Sequence, residues 1–356
     1  MIRETIDVGI DLGTTNSALA VADGAGAGVV RNTWQREFTP SAVYVSESGN
    51  VYVGEEAKGR LERDPENACG EFKLQMGTPG EHKLFGASGR RMTPEELSAE
   101  VLKSLRGDMH RTTGEQISAA VITVPAAFEL DQCDATRRAA HLAGLEYAPL
   151  IQEPTAAAWA YAGGADDHRA FWLVYDFGGG TFDAAVINVR DGEFGVVNHA
   201  GDNFLGGKLI DWAMVDELLA PEVTRKHGLE GLNRANRRWA GNIAKLKHAA
   251  ENAKIALSAV QVTEVRVELS DADGRPFEFS TEVQRSHLER FIDPLYTRSI
   301  NLCRRALTEK GLGAGDIERV VLVGGATLSP QLRERLADPR AGLGIPLDHS
   351  MDAITV

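Results

Sequence analysis

Residues 172–187 read WLVYDFGGGTFDAAVI, and residues 6–21 read IDVGIDLGTTNSALAV. In both, an apolar run ends on an aspartate. A turn of small and hydroxylated residues follows, then a second alternating run, so each stretch predicts strand, tight turn, strand. Laid over one another, they place Asp11 on Asp176 and Gly13 on Gly178, about 165 residues apart. One such turn can arise by chance, but two predict a duplicated fold with two related lobes. A second unit also occurs twice: AVITVPAAF (120–128) and RVVLVGGATLSP (319–330) each predict a buried strand, a Pro or Gly-Gly turn and a helix. The fold class is therefore α/β, each half starting with a hairpin and continuing in helix–strand–helix units.

The intervening sequence has readable ends. Thr93-Pro94-Glu95-Glu96 is a capping box with Pro at the first helical position, and Leu97, Val101 and Leu105 follow on one face. Residues 242–258 predict an amphipathic helix, and residues 261–280 a hairpin about the DADGRP turn. The stretch 34–92 is less regular and reads as a smaller appended subdomain. With 51 acidic against 38 basic residues and a formal charge of −13, the chain is poorly suited to nucleic acid or anionic membrane. Hydrophobic residues are 43% and charged residues 25%, an ordinary soluble composition. No run approaches the roughly 18 apolar residues of a membrane span, and the start has no basic-then-apolar leader pattern. Cys69, Cys133 and Cys303 form no CxxC pair and are expected as reduced thiols, which fits a cytoplasmic protein.

The two turns carry the chemistry. In DLGTTNS (11–17), a glycine turn with inward N–H groups and the hydroxyls of Thr14 and Thr15 suits an anion. Asp11 beside it makes sense if a hydrated magnesium lies between carboxylate and phosphate. A plain hairpin turn with a satisfied aspartate is the competing reading. DFGGGTFD (176–183) is the stronger signal. Three successive glycines cost conformational entropy, which suggests close approach of a ligand, and Asp176 and Asp183 bracket Thr181 inside the turn. Phosphoryl transfer needs this kind of positioning and charge neutralisation. Two other glycine-rich stretches carry less. In GDNFLGGKL (201–209) an extra glycine precedes Lys208 and no Ser or Thr follows it, so it departs from a P-loop. GAGAG (24–28) lacks dinucleotide spacing, and both read as turns. Glu251, Lys254 and Ser258 share a helix face, which by itself is most simply a solvated stripe. Lys73, in EFKLQMG, reads locally as a surface lysine.

In their order, IDLGTTNS (10–17), AVITVPAAF (120–128), LIQEPTAAAWAY (150–161), VYDFGGGTFD (174–183), ENAKIALS (251–258) and VVLVGGATLSP (320–330) resemble the nucleotide-binding domain of the seventy-kilodalton heat-shock chaperone family. That family lies within the actin and sugar-kinase superfamily. The resemblance implies an actin-like (ribonuclease H-like) two-lobed ATPase fold with a duplicated core and a nucleotide cleft between the lobes. Lobe I would span 1–168 with a small subdomain at about 34–92, and lobe II 169–356 with one at about 212–289. It implies ATP or ADP with Mg2+ as cofactors, K+ as a further candidate ion, and slow hydrolysis. Asp11, Asp176 and Asp183 would hold metal, largely through water. Lys73, Glu153, Asp176, Thr181 and Asp183 would serve catalysis. Gly13, Thr14, Thr15, Asn16, Gly178, Gly179, Gly180, Gly206 and Gly207 would line the phosphates. Glu251, Lys254, Ile255 and Ser258 would cradle ribose and base, with Gly324 and Gly325 beneath the sugar and α-phosphate and Leu328 beside the base.

There are departures from the family pattern. Leu328 and Cys133 stand where the family usually has arginines, which bears on base affinity and on coupling through Pro125. Segments 74–118 and 212–250 are shorter than usual, so docking of an exchange factor there is not assumed, and co-chaperones or an exchange factor stand as candidate partners. No peptide-binding domain is expected within the chain. A small-molecule kinase, a nucleotide sensor and an actin-like assembling protein of the same superfamily stand as alternatives, because fold alone does not choose among them.

Overall fold

The computed structural model describes residues 2–3, 6–23, 26–162 and 170–348. Its organisation follows from two sheets of one topology. In the first, β1 (Val8–Asp11), β2 (Asn16–Asp23) and β3 (Gly26–Val29) form an antiparallel meander. Then β4 (Val121–Val124) adds parallel to β1, and β5 (Leu150–Gln152) adds parallel to β4. In the second, β6 (Ala170–Phe177), β7 (Phe182–Arg190) and β8 (Glu193–Asp202) repeat the meander. There β9 (Ile317–Val323) adds parallel to β6 and β10 (Leu347–Asp348) parallel to β9. The orders β5-β4-β1-β2-β3 and β10-β9-β6-β7-β8 are the same, so the echo of two turns is an echo of two whole sheets. GAGAG departs from expectation: Gly26–Gly28 belong to β3 rather than to a turn, because their backbone pairs with Val21 to Asp23, while Gly24 and Ala25 lie outside the described residues.

Each sheet is buried by the helices its crossovers supply. Helix α1 (Pro94–Thr113) starts on the expected capping box: the Glu96 amide donates to Thr93 Oγ1 at 3.2 Å and the Thr93 amide to Glu96 Oε2 at 2.8 Å. Its Leu97, Val101 and Leu105 enter a core with Val8, Ile10 and Ile122, closed by α2 (Leu130–Leu142). In the second half, Leu173, Tyr175 and Phe177 point into a core built with α4 (Gly207–Met214), α5 (Ala240–Ala259), α6 (Arg285–Thr308) and α7 (Pro330–Ala337). The predicted hairpin is Val262–Ser270 paired with Pro276–Gln284.

Helix α3 (Glu153–Ala162) joins the halves. It leaves the first sheet at the end of β5, yet its Ala157, Ala158 and Tyr161 pack on Trp172, Val174 and Ile187, the second face of the second sheet. Tyr161 Oη donates to Leu322 O at 2.9 Å. The run WLVY is thus buried on both faces, which explains why it lacks polar alternation. The same docking holds Glu153, the first residue of α3, beside the ends of β1 and β6.

Candidate functional site

Both aspartates of the sequence echo stand at strand ends. Asp11 closes β1, and Thr123 Oγ1 of β4 donates to its Oδ1 at 2.8 Å. Asp176 is next to last in β6 and lies in register with Asp183 of β7, so the two share a face directly across the ladder. Like charges facing one another across strands destabilise a sheet, so this pairing calls for something besides folding to explain it. Gly324, at φ 87°, turns the chain off β9 beside this pair. A Cβ there would lie 2.5 Å from Phe177 O and 3.0 Å from Asp176 Oδ1, so only glycine fits without displacing the carboxylate.

Glu153 completes the cluster, and one cation enters it. Lys73 is only 5% exposed, and its Nζ lies 2.6 Å from Glu153 Oε1. The surface reading of Lys73 is therefore corrected. It sits in a short 3-10 turn (Phe72–Gln75) whose neighbouring Phe72 and Met76 are core residues, and this draws the lysine inward. One ammonium among four carboxylates leaves an excess of negative charge. Burial pushes Asp183 up to about 7, with Glu153 adding to the rise and Lys73 opposing it. Burial also raises Asp176 well above the usual carboxylate range, reinforced by Glu153, Asp183 and Asp11. Glu153 is raised by burial despite the Lys73 pairing. Among the described residues no group of three or more His, Cys, Asp or Glu converges as a direct metal-ligand set. The cluster suits a hydrated divalent cation, whose charge would relieve the repulsion while its own waters reach the carboxylates.

The two turns meet face to face. A Cβ on Gly179 would lie 2.9 Å from Thr15 Oγ1, so the first turn touches the second. Thr15 Oγ1 and Asn16 Oδ1 are both buried without a hydrogen-bond partner, donor and acceptor capacity held between the turns. Gly13 O is already used, accepting from Ser41 Oγ at 2.7 Å, and Thr14 is half-buried beside it. The start of α4 is stitched to the triple glycine: the Gly207 amide donates to Gly178 O at 3.0 Å and the Lys208 amide to Gly179 O at 2.8 Å. A Cβ on Gly206 would fall 2.5 Å from Gly180 C, so this approach also requires glycine. The segment GDNFLGGKL, expected as a turn, is thus the end of β8, a turn and the start of α4. Thr181 O accepts from the Gly178 amide at 3.0 Å and closes the loop.

The helix residues are tied in by partners that sequence reasoning missed. Lys254 Nζ lies 2.6 Å from Asp211 Oδ1 and donates to Gly207 O at 3.2 Å, linking α5 to the start of α4 beside the glycine turn. Glu251 pairs with Lys58 of the first half at 2.9 Å. Ser258 Oγ donates back to Lys254 O at 3.4 Å. Ile255 is 61% exposed, and Leu328 is half-buried at the end of the short Gly325–Leu328 turn. Lys58 and Asp211 carry no local motif. Thr123 could have been found, because its strand repeats the unit that ends at Val323.

A family model described as Hsp70 protein matches residues 7–340. The chain belongs to the Hsp70 family. The Hsp70 nucleotide-binding domain is a chaperone-type ATPase domain of actin-like, two-lobed fold, and two sheets of one strand order accord with that duplication. The match covers both turns, the Lys73–Glu153 pair and the α5 helix. No helix among the described residues is long and apolar enough to cross a membrane.

Proposed function

We propose that this chain binds ATP with magnesium between its lobes and hydrolyses it slowly to ADP and phosphate, with lobe opening and closing as the output. The buried Lys73–Glu153 pair beside the facing Asp176 and Asp183 carries this reading, because it combines charge neutralisation with water-orienting carboxylates at one place. Magnesium, held through its waters by Asp11 and Asp176, would supply further neutralisation of phosphate charge. The amides of Gly179 and Gly180, with Gly178 holding the turn closed through Thr181 O, and the hydroxyls of Thr15 and Thr181 would line the phosphates. Lys73 would stabilise charge on the transferred phosphoryl group. Asp183, across the ladder from Asp176, would help orient the attacking water rather than deprotonate it as a strong base.

Single-turnover phosphate release with magnesium, in the unaltered chain and in Lys73→Ala and Thr181→Ala, tests this. Release without an acceptor, lost in Lys73→Ala while nucleotide stays bound, supports hydrolysis. ATP bound but intact in all three leaves a sensor or an acceptor-dependent kinase instead.

A further inference from the structure

We infer that Lys208 is a second cationic anchor for the terminal phosphate of a nucleoside triphosphate, held ready by Glu71 across the cleft. The inference rests on the reading of the cleft as a triphosphate site and adds a residue to it. Lys208 is the second residue of α4, where the Gly207 and Lys208 amides donate hydrogen bonds to Gly178 O and Gly179 O. Its Nζ is ion-paired with Glu71 Oε1, and the lysine side chain is 28% exposed. Glu71 belongs to the other lobe. It takes a left-handed conformation, φ 58°, immediately before the 3-10 turn that carries Lys73. Backbone strain of this kind at a non-glycine residue persists only where the surroundings fix it.

The position of Glu71 makes electrostatic sense only with Lys208 present. A Cβ on Gly180 would lie 2.9 Å from Glu71 Oε1, so this carboxylate is set against the turn proposed to hold phosphate. Alone it would repel the ligand. An ammonium has three N–H donors and Glu71 engages one of them, which leaves two for phosphate oxygens. Glu71 and the 3-10 turn that follows it therefore position both cations, Lys73 directly and Lys208 through its pairing with Glu71. Assigned to the terminal phosphate and not to the inner two, the contact would distinguish triphosphate from diphosphate.

Calorimetric titration of the full chain with a non-hydrolysable ATP analogue and with ADP, both with magnesium, tests the assignment. Lys208→Ala is expected to weaken the triphosphate about tenfold or more and ADP less than about twofold, the loss of one charge-assisted contact. Lys208→Arg should restore the triphosphate preference, and Glu71→Gln should leave it in place. Equal loss for both ligands, or none for either, overturns the assignment, since a merely structural clasp has no reason to sense the third phosphate. If the unaltered chain binds neither ligand, the nucleotide reading falls and the anchor falls with it. If it binds both and Lys208→Ala changes nothing, only the anchor falls.

Discussion

Lys58 Nζ lies 2.9 Å from Glu251 Oε1, joining residues 193 positions apart in sequence and on opposite lobes. Lys58 ends the short helix Glu55–Lys58, and Glu251 stands mid-way along α5. Both side chains are partly exposed, at 28% and 22%, so the pair contributes little to global stability, about 0.5–1 kcal/mol. Its location matters more than its strength, because it ties the first half of the chain to the helix proposed to cradle ribose and base. Lys58→Ala should speed release of fluorescent ADP several-fold while barely moving the thermal midpoint, and unchanged release would remove the latch from the account.

The same pair has a defined pH response. Burial acts to raise the Glu251 carboxyl, but Lys58, helped by Lys247 and Lys254, outweighs it and holds the group below its usual 4.5. A carboxyl depressed in the folded state contributes its stabilisation in full above its unfolded value and loses it as pH falls through the folded one. The latch is therefore fully formed throughout pH 8 to 5, and release rates are expected to show no pH-dependent step from it within that window. A step within that window that Lys58→Ala abolishes would contradict the assignment.

Lys73 and Glu153 should be separable by truncation. Lys73→Met leaves a largely enclosed carboxylate without its cation, and loss of one partner of such a pair costs about 3 kcal/mol. Glu153→Gln added to Lys73→Met removes the orphaned charge and should recover most of that loss in urea unfolding. Hydrolysis should not recover with it, and both variants should fall about a hundredfold or more. Recovery of both together would mean that Lys73 serves folding alone.

Much of this is legible in the sequence, for physical reasons that differ by residue. The duplicated sheets are visible because a strand, an aspartate and a glycine turn leave the same imprint wherever they recur. The Thr93 cap and the hairpin about DADGRP are local devices, readable from a few adjacent residues. Lys73 is legible only by resemblance, since the burial of a lysine is decided by Phe72, Met76 and a glutamate 80 positions away. Lys58, Asp211 and Glu71 leave no sign, because each acts through a partner on a distant element. Lys208 stands in a stretch whose spacing excludes a P-loop, and its place on α4 comes from tertiary packing that no local motif encodes.

Two glycines give opposite expectations on one substitution. Gly206→Ala would drive a methyl into the Gly179–Gly180 backbone, 2.6 Å from Gly179 O, and lift α4 from the turn. ATP affinity should drop about tenfold or more, with secondary structure retained by circular dichroism. Gly107→Ala, inside α1 with nothing within 4 Å of the added carbon, should instead stabilise the chain by about 0.5–1 kcal/mol. Loss of nucleotide binding in Gly107→Ala, or its retention in Gly206→Ala, would break the link between turn contact and binding.

Metal dependence is the last expectation and follows from charge alone. Asp11, Glu153, Asp176 and Asp183 surround a single ammonium, and a nucleotide would add phosphate charge to that excess. Binding without a divalent cation should therefore be poor, and ADP affinity is expected to drop about tenfold or more when chelator replaces magnesium. Asp11→Asn combined with Asp176→Asn removes the two carboxyl groups proposed to hold the metal's waters. In that variant magnesium and chelator should give nearly the same ADP affinity, while Thr123, the Asp11 partner, keeps a hydrogen-bonding neighbour and the fold is preserved. A calorimetric series over magnesium concentration distinguishes the cases. Equal ADP affinity with and without metal in the unaltered chain would show that Lys73 and the glycine-turn amides suffice, and the carboxylate cluster would need another role.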